Sequence, residues 1–294
     1  MKQLIVTADD FGAAPEVNEA VEAAHRDGIL TAASLMVSGP AAADAVAIAR
    51  RLPSLRVGLH LVLVEGRPVL PPSAVSRLVD NRGAFRSDMA KIGALIACSR
   101  EARQQLAAEI AAQFAAFQAT GLELDHCNAH KHFHLHPVIG GMLASIGARF
   151  GLRAVRVPLE PLHELRAVEP QTSRTPAMIT APWALLLRRR LRAAGLLVAD
   201  RVFGLRWSGG MTRERLSGLI RCLHDGLSEI YLHPAIGPYR GSAPGYRYRD
   251  ELAALISPEV LAARRSGALQ LGGFRDFLIP GPSAAPVPAR ARAT

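Results

Sequence analysis

Residues able to hold or use a divalent metal follow separate apolar segments of this chain. Asp9 and Asp10 end the apolar run that opens the sequence, His60 lies in a second run, and His130 begins a histidine-rich stretch. A carboxylate and two imidazoles supply three protein ligands and leave coordination positions for water and substrate, as a catalytic zinc or similar divalent metal requires. These residue types and their spacing predict an open catalytic metal centre.

Each residue also has an interpretation without a metal. Asp9 and Asp10 could cap the helix that follows, because aspartate accepts hydrogen bonds from the free N–H groups of a first helical turn. His60 in an apolar strand could be a hydrogen-bonded core histidine, and His233 before Pro234 carries no mechanism by itself. The coincidence of all these segments, rather than any one residue, supports the metal centre.

Several histidines occupy even-numbered positions in and after the strand predicted over 122–129. If the stretch were extended, one face would carry more imidazoles than a single metal uses: His126, His130, His132, His134 and His136. We therefore expect some of them to contact substrate or to orient ligands. The candidates for these roles are His132, His134 and Asn128.

Short apolar runs alternate with helical patterns along the chain, which is typical of βαβ units around a parallel sheet. The patterns predict strands over 4–8, 32–37, 56–61, 122–129, 153–157, 229–232 and 268–271. They predict helices over 15–27, 41–51, 100–120, 137–150, 213–224 and 258–266. About seven strand candidates with intervening helices predict an α/β fold, an imperfect (β/α) TIM-like barrel rather than an open doubly wound sheet. The candidate residues fall at the carboxyl ends of these strands. No Gly-x-Gly-x-x-Gly follows the first strand to indicate a dinucleotide fold.

The alternation is interrupted twice. Irregular insertions are predicted at about 64–98 and 158–198, within a single metal-dependent domain over 1–278. The remaining residues, 279–294, consist mainly of Pro, Ala and Arg and are predicted to be disordered.

Composition narrows the setting and the partners. The 294 residues include three cysteines without a CxxC pair, and the N-terminus lacks the pattern of a signal peptide, so we expect a cytoplasmic protein. The net charge of +10 favours an anionic partner. With only 5% aromatic residues and no aromatic and basic stacking platform, we expect no nucleic acid and favour an anionic membrane surface.

The second insertion carries the candidate membrane-facing residues. Apolar and basic side chains are interleaved there, as in elements that bury apolar surface in lipid while arginines meet anionic headgroups. The candidates are Trp183, Leu186, Arg188, Arg189 and Arg190. The alternative is an ordinary packed helix with a solvated basic face.

The chain resembles the YdjC-like carbohydrate deacetylase family from about residue 2 to residue 277. The motifs that carry the resemblance occur in the family's order: Thr-Ala-Asp-Asp-Phe-Gly (7–12), Val17-Asn18, Ser-Leu-Met-Val (34–37), Gly-Leu-His-Leu (58–61), His-x-His-x-His (130–134) and Glu-Ile-Tyr-Leu-His-Pro (229–234). The resemblance implies a TIM-barrel-like fold and metal-dependent removal of N-acetyl groups from amino sugars. It implies Asp10, His60 and His130 as metal ligands, Asp9 as general base and His233 as acid.

One position departs from the family's pattern. Relatives usually carry Asp-Ser before the first histidine of the cluster, whereas this chain has Asn128-Ala129. A role for a carboxylate there in orienting a ligand is therefore in question, while the three ligands are intact. Zinc is the expected metal, with magnesium, manganese or nickel as alternatives.

Within the family the chain is most similar to the hopanoid-biosynthesis-associated branch. This implies N-deacetylation of an N-acetylglucosaminyl group on a hopanoid glycolipid, N-acetylglucosaminyl bacteriohopanetetrol, at the inner face of the membrane. The alternatives are a soluble chitooligosaccharide deacetylase, a non-haem Fe(II) oxygenase, and a metal- or glycan-binding protein without turnover. Intact Asp9 and His233 favour hydrolysis, because binding alone needs neither.

Overall fold

A parallel sheet forms the centre of the computed structural model, which describes residues 1–172, 177–265 and 269–278. The described strands are β1 (Lys2–Phe11), β2 (Ala32–Leu35), β3 (Arg56–Leu61), β4 (Cys127–Ala129), β5 (Arg201–Phe203), β6 (Gly226–Leu232) and β7 (Leu269–Leu271). The sheet order is β4-β3-β2-β1-β6-β5. β7 pairs with the first residues of β1, and β2 pairs with its later residues.

Two layers of apolar side chains bury β1. Leu4, Val6 and Ala8 contact the larger core cluster, which includes helical residues such as Val17. Ile5 contacts a smaller cluster on the other face. Because successive side chains of a strand point to opposite faces, Asp9 lies on the Ile5 face. A strand covered on both faces is expected to read as a continuous apolar run, as β1 does.

Backbone hydrogen bonds outside the regular ladders link β4 towards β5. Cys127 N donates to Ala154 O at 3.0 Å, Val155 N donates to Leu197 O at 3.0 Å, and Val202 N donates to Leu159 O at 3.0 Å. The regular sheet therefore forms a half-barrel. Residues 153–159 lie between its two edges and contact them through isolated bridges and backbone hydrogen bonds. The prediction of an α/β fold with a parallel sheet is confirmed. The complete TIM-like barrel stays a prediction, because residues 153–157 form bridges rather than a full strand.

Ten α-helices surround the sheet in the described part of the chain. They are α1 (Pro15–Asp27), α2 (Ala42–Arg51), α3 (Met89–Cys98), α4 (Arg100–Ala119), α5 (Pro137–Ala148), α6 (Leu162–Val168), α7 (Ala177–Ala193), α8 (Arg213–Cys222), α9 (Tyr248–Leu255) and α10 (Pro258–Arg265). Short three-ten helices cover Pro72–Val75, His130–Leu135 and Arg275–Phe277. None of the helices in the described ranges is long and apolar enough to cross a membrane.

Both insertions contain regular structure. The first insertion contains α3. Its residues Val69 and Leu70 are bound to α4, because buried Glu109 accepts hydrogen bonds from their backbone N atoms at 2.8 and 3.0 Å. The second contains α6 and α7, while residues 173–176 lie outside the described residues. Both insertions are therefore partly helical, not irregular throughout. The predicted disorder of 279–294 also falls outside the described residues.

Outside the two insertions, sequence reasoning missed β5 and α9 for physical reasons. β5 has three residues, too few for a period to show. In α9 the buried positions include Glu251, which breaks the apolar pattern that would indicate a helix. The predicted strand over 122–129 is shorter in the structure, where β4 begins at Cys127.

Candidate metal centre

Three side chains from different strand ends converge on one point. Asp10 Oδ1 lies 3.3 Å from His60 Nε2 and 3.2 Å from His130 Nδ1, and the two nitrogen atoms are 3.4 Å apart. A tetrahedral metal with ligand bonds of about 2.0–2.1 Å places neighbouring ligand atoms about 3.3–3.4 Å apart. The triangle therefore fits three corners of such a site and leaves a fourth position open.

The end of β1 has an unusual backbone at Asp10. Its φ is 64°, in the left-handed region that only a few per cent of residues other than glycine adopt. The pairing of β1 with β2 also shifts register between Ala8 and Phe11, as in a β-bulge. Bulges are common beside active sites because they redirect side chains. Here the bulge places Asp9 and Asp10, which are neighbours in sequence, in two different sets of contacts.

Asn128 orients one ligand of the triangle. His60 Nδ1 donates to Asn128 Oδ1 at 2.6 Å, so that Nε2 keeps its lone pair for a metal. Asn128 Nδ2 in turn donates to Asp9 Oδ1 at 3.2 Å and to Ser34 Oγ at 2.9 Å. An amide can do this because it offers both a donor and an acceptor. The departure from the family's Asp-Ser thus preserves an acceptor for His60.

Asp9 has a separate set of partners. Its Oδ2 accepts a hydrogen bond from Arg156 Nη1 at 2.5 Å, and its Oδ1 accepts from Ser34 Oγ at 3.0 Å as well as from Asn128. Burial would raise the pKa of Asp9, but the Arg156 guanidinium outweighs it and holds the pKa well below its usual range. Oδ2 retains one lone pair that these contacts leave free.

Arg156 is fully buried between two carboxylates. Besides Asp9, it contacts Glu229 Oε1 through Nε at 3.0 Å and Nη2 at 2.8 Å, and its guanidinium lies 4.4 Å from the centre of the Tyr231 ring. Thr7 Oγ1 also donates to Glu229 at 2.8 Å. The pKa of Arg156 is raised because the two carboxylates outweigh the effect of burial. β1, β6 and the segment at 153–157 are therefore joined by one buried ionic network.

A second polar chain supports Asp9 from the other side. Asp125 Oδ2 accepts from His126 Nδ1 at 2.8 Å, and His126 Nε2 lies 3.0 Å from Ser34 Oγ, which donates to Asp9. The absence of a side chain at Gly58 leaves room for the His126 ring. A Cβ at Gly58 would lie 2.5 Å from the His126 ring, so the glycine of Gly-Leu-His-Leu admits the imidazole.

His233 lies near both aspartates, at the end of β6. Burial lowers its pKa, although the charges of Asp10 and Asp9 oppose the shift. Its ring centre is 5.3 Å from that of Tyr246 and 5.9 Å from that of Tyr231. Its backbone N donates to the buried Glu251 at 2.5 Å, which fixes the turn that presents the imidazole.

A profile described as "YdjC-like protein" matches residues 3–266 of the chain. The chain belongs to the YdjC-like family. A carbohydrate deacetylase of Geobacillus stearothermophilus is 30% identical over 278 residues, which cover 93% of this chain and 97% of that protein. A chitooligosaccharide deacetylase of Enterobacter sp. strain 638 is 36% identical over 157 residues, which cover 53% of this chain and 59% of the relative.

The fold is shared with a solved structure from Enterococcus faecalis V583, a proposed cellobiose-phosphate cleavage protein. The TM-score is 0.72 at 23% identity, and the match covers 95% of this chain and 99% of that one. The YdjC-like chain therefore has the same arrangement of the parallel sheet and helices over nearly its whole length.

The histidine stretch is not extended after β4, so its imidazoles do not lie along one strand face. The chain turns after β4 into a three-ten helix, in which Lys131 and His132 have φ of 53° and 54°. His132 Nε2 lies 2.8 Å from Tyr231 Oη, and His134 Nε2 donates to Arg156 O at 2.8 Å. Burial lowers the pKa of His132 well below its usual range and that of His134 to about 4. Both are neutral neighbours of the buried ionic network.

Sequence reasoning missed Arg156, Glu229 and Ser34 in this YdjC-like site. The signal for the first two was present, since each is a charged residue inside an apolar strand-like run and both are fully buried. Such charges are almost never buried unless they are paired. Ser34 gave no signal, because a small hydroxyl residue is ordinary in a strand.

Replacement of Asn128 by alanine should weaken metal binding about 10–100-fold, because His60 loses the acceptor that fixes its tautomer and ring orientation. The dissociation constant for Zn²⁺ would be measured by competition with a chromophoric chelator. Asn128→Asp is the matched control and should stay within a few-fold of the parent, since it keeps an acceptor. Equal affinity in the alanine variant would contradict the orienting role.

Replacement of Arg156 by methionine should lower the free energy of unfolding at pH 7 by about 3–5 kcal/mol, because it leaves buried carboxylates without their partner. In the parent protein the pKa of Asp9 is lowered. The ionised carboxylate therefore adds to the free energy of unfolding above the pKa of about 3.9 that aspartate has in the unfolded chain, and this contribution is lost as pH falls further. In the variant, unopposed burial raises that pKa, so protonation becomes stabilising.

The difference in the free energy of unfolding between the parent and Arg156→Met should therefore shrink as pH falls from 7 towards about 4. Urea unfolding at several pH values measures it. The exposed Arg153, three residues earlier in the chain, offers a control, since Arg153→Met should change stability by less than about 0.5 kcal/mol. A pH-independent difference would contradict the assignment to Asp9.

Proposed function

We propose that this YdjC-like protein hydrolyses the N-acetyl group of an amino sugar, using one divalent metal held by Asp10, His60 and His130. The observation that carries the proposal is the convergence of one carboxylate and two imidazoles at edge lengths of 3.2–3.4 Å. Relatives named carbohydrate deacetylase support the same hydrolase class. The TIM-like barrel is part of the proposal. It is supported by the bridge between Cys127 and Val155 at one edge of the sheet and by the hydrogen bond from Val202 N to Leu159 O at the other.

The metal would activate a water molecule and polarise the acetamide carbonyl. Asp9 would accept the proton of the attacking water at Oδ2, where one lone pair is free. His233 would pass that proton on to the nitrogen as the C–N bond breaks, and acetate and the free amine leave. The lowered pKa of His233 makes its protonated form a stronger acid.

Zinc is the proposed metal, with magnesium, manganese or nickel as alternatives. Two imidazoles and one carboxylate form a mixed nitrogen and oxygen donor set that suits zinc. Magnesium usually prefers oxygen ligands and retains several waters, so the two imidazoles favour zinc over it.

Asp9→Asn should reduce acetate release by at least about 100-fold while leaving metal bound, because the amide cannot accept the proton that a general base takes. Acetate is measured by a coupled assay, and metal content is measured on the same sample. Asp10→Asn is the contrasting variant and should lose metal as well as activity. Turnover at the parent rate in Asp9→Asn would show that another group is the base.

We further propose that the amino sugar is lipid-linked, as in the hopanoid glycolipid N-acetylglucosaminyl bacteriohopanetetrol. The support is α7, where Trp183 is 49% exposed, Leu185 48% and Leu186 36%. Arg189 and Arg190 are exposed on the same helix, whereas Arg188 is half-buried. Apolar side chains beside arginines suit the surface of an anionic bilayer.

The position of α7 adds to this support. α7 packs against the three-ten helix at His130–Leu135 that carries the histidine cluster. A lipid surface that touched α7 would therefore lie beside the candidate metal centre. Leu187 and Leu191, which also belong to the apolar run, are buried and form the packing side of α7. Of the apolar side chains of α7, only the exposed ones are available to lipid. The proposed contact is therefore peripheral, at the inner face of the membrane.

A soluble chitooligosaccharide is the second candidate substrate, favoured by the Enterobacter relative that carries that name. Diacetylchitobiose and N-acetylglucosaminyl bacteriohopanetetrol in anionic vesicles should be compared side by side. We expect faster acetate release from the lipid. We also expect Trp183→Ser with Leu186→Ser to slow release from the lipid about tenfold or more and to leave the disaccharide rate unchanged, because only lipid contact is removed.

Vesicle sedimentation separates binding from catalysis in this comparison. The parent protein should sediment with anionic vesicles, and the serine variant should not. Activity on the disaccharide alone would retain the deacetylase and remove the lipid-linked substrate. Sedimentation that is unchanged in the serine variant would remove the role of α7.

A further inference from the structure

We propose a second divalent cation site, formed by His163 and Glu164 on α6 and His224 just after α8. One ligand atom from each residue lies within 4.8 Å of the others. The site is separate from the candidate metal centre, because His224 precedes β6 whereas His233 follows it. The seven residues of β6 rise about 3.3 Å each, so the two sites lie about 20 Å or more apart, at opposite ends of the strand.

Glu164 is the residue whose buried carboxylate an ion would stabilise most. Its side chain is 2% exposed, yet neither carboxylate oxygen accepts a hydrogen bond with good geometry. His163 Nε2 is 2.8 Å from Oε2, and Arg201 Nε is 3.1 Å from Oε1, but these contacts are ionic only. A buried carboxylate without hydrogen bonds is costly. A cation bound at Oε2 would satisfy it.

Arg201 holds the two halves of the site in place. Its Nε faces Glu164 Oε1, and its Nη1 donates at 3.2 Å to the carbonyl of Asp225, the residue after His224. The carboxylate and the second histidine are therefore positioned by one side chain before any ion binds. Such supporting contacts are typical of metal sites, where they orient the ligands.

The two histidines are accessible to an ion from solvent. Both are exposed, and their ring centres are 6.3 Å apart with planes inclined by 31°. Two imidazoles and one carboxylate favour zinc, nickel or copper over calcium. Within the described ranges, no acid and base pair like Asp9 and His233 accompanies this cluster. Its role is to bind an ion that ties α6 in the second insertion to the turn that leads into β6.

The test is the stoichiometry of Zn²⁺ bound by the untagged full chain, measured by equilibrium dialysis and elemental analysis. The parent protein should bind two ions. His163→Ala with His224→Ala should bind one, with the second dissociation constant weakened at least tenfold and acetate release unchanged. His60→Ala should also retain one ion, and that ion should be lost when all three substitutions are combined.

Thermal unfolding gives a readout that does not depend on activity. Added Zn²⁺ should raise the melting temperature of His60→Ala but not of the triple variant, because a ligand that binds only the folded state stabilises it. Two ions bound by His163→Ala with His224→Ala at parent affinity would overturn the proposal, as would a single ion in the parent that is lost in His60→Ala. Either outcome is independent of whether the deacetylase assignment holds.

Discussion

The buried contact between Arg156 and two carboxylates is the interaction on which the candidate metal centre depends. Arg156, Asp9 and Glu229 come from three separate segments of the sheet, and all three are nearly inaccessible to solvent. Charges so placed are stable only when they are paired. The pairing fixes Asp9 as an anion, and the carbonyl of Arg156 also accepts a hydrogen bond from His134. The histidine segment is thereby tied to the same network.

Asn128 connects this network to the candidate metal ligands. It accepts from His60 and donates to Asp9, so the orientation of a ligand and the position of the proposed base depend on one amide. A carboxylate at this position could accept from His60 but could not donate to Asp9 unless it were protonated. This chain can therefore depart from the family's Asp-Ser and still hold its ligands.

The sequence was informative where a residue's position follows from a strand end. Asp9, Asp10, His60 and His130 could be placed together because strands have a recognisable apolar pattern and parallel strands bring their carboxyl ends to one edge. The choice of Asp10, rather than Asp9, as a ligand rested on the resemblance to the family. The places of His132 and His134 could not be derived from the alternating pattern, because they depend on the positive φ of Lys131 and His132. The partners of Asp9 depend on contacts between residues up to 147 positions apart, and no local pattern records them.

The charges around the centre favour a divalent ion. Asp9 and Asp10 have lowered pKa values, and burial also lowers the pKa values of His132, His134 and His233, which disfavours their charged forms. With Glu229 and Arg156 included, three carboxylates face one guanidinium and leave two negative charges in a largely buried region. A divalent cation on Asp10, His60 and His130 would balance them. Unpaired buried charge is destabilising, and the raised pKa of His130 beside Asp10 shows that a proton on this imidazole would balance part of the same negative charge.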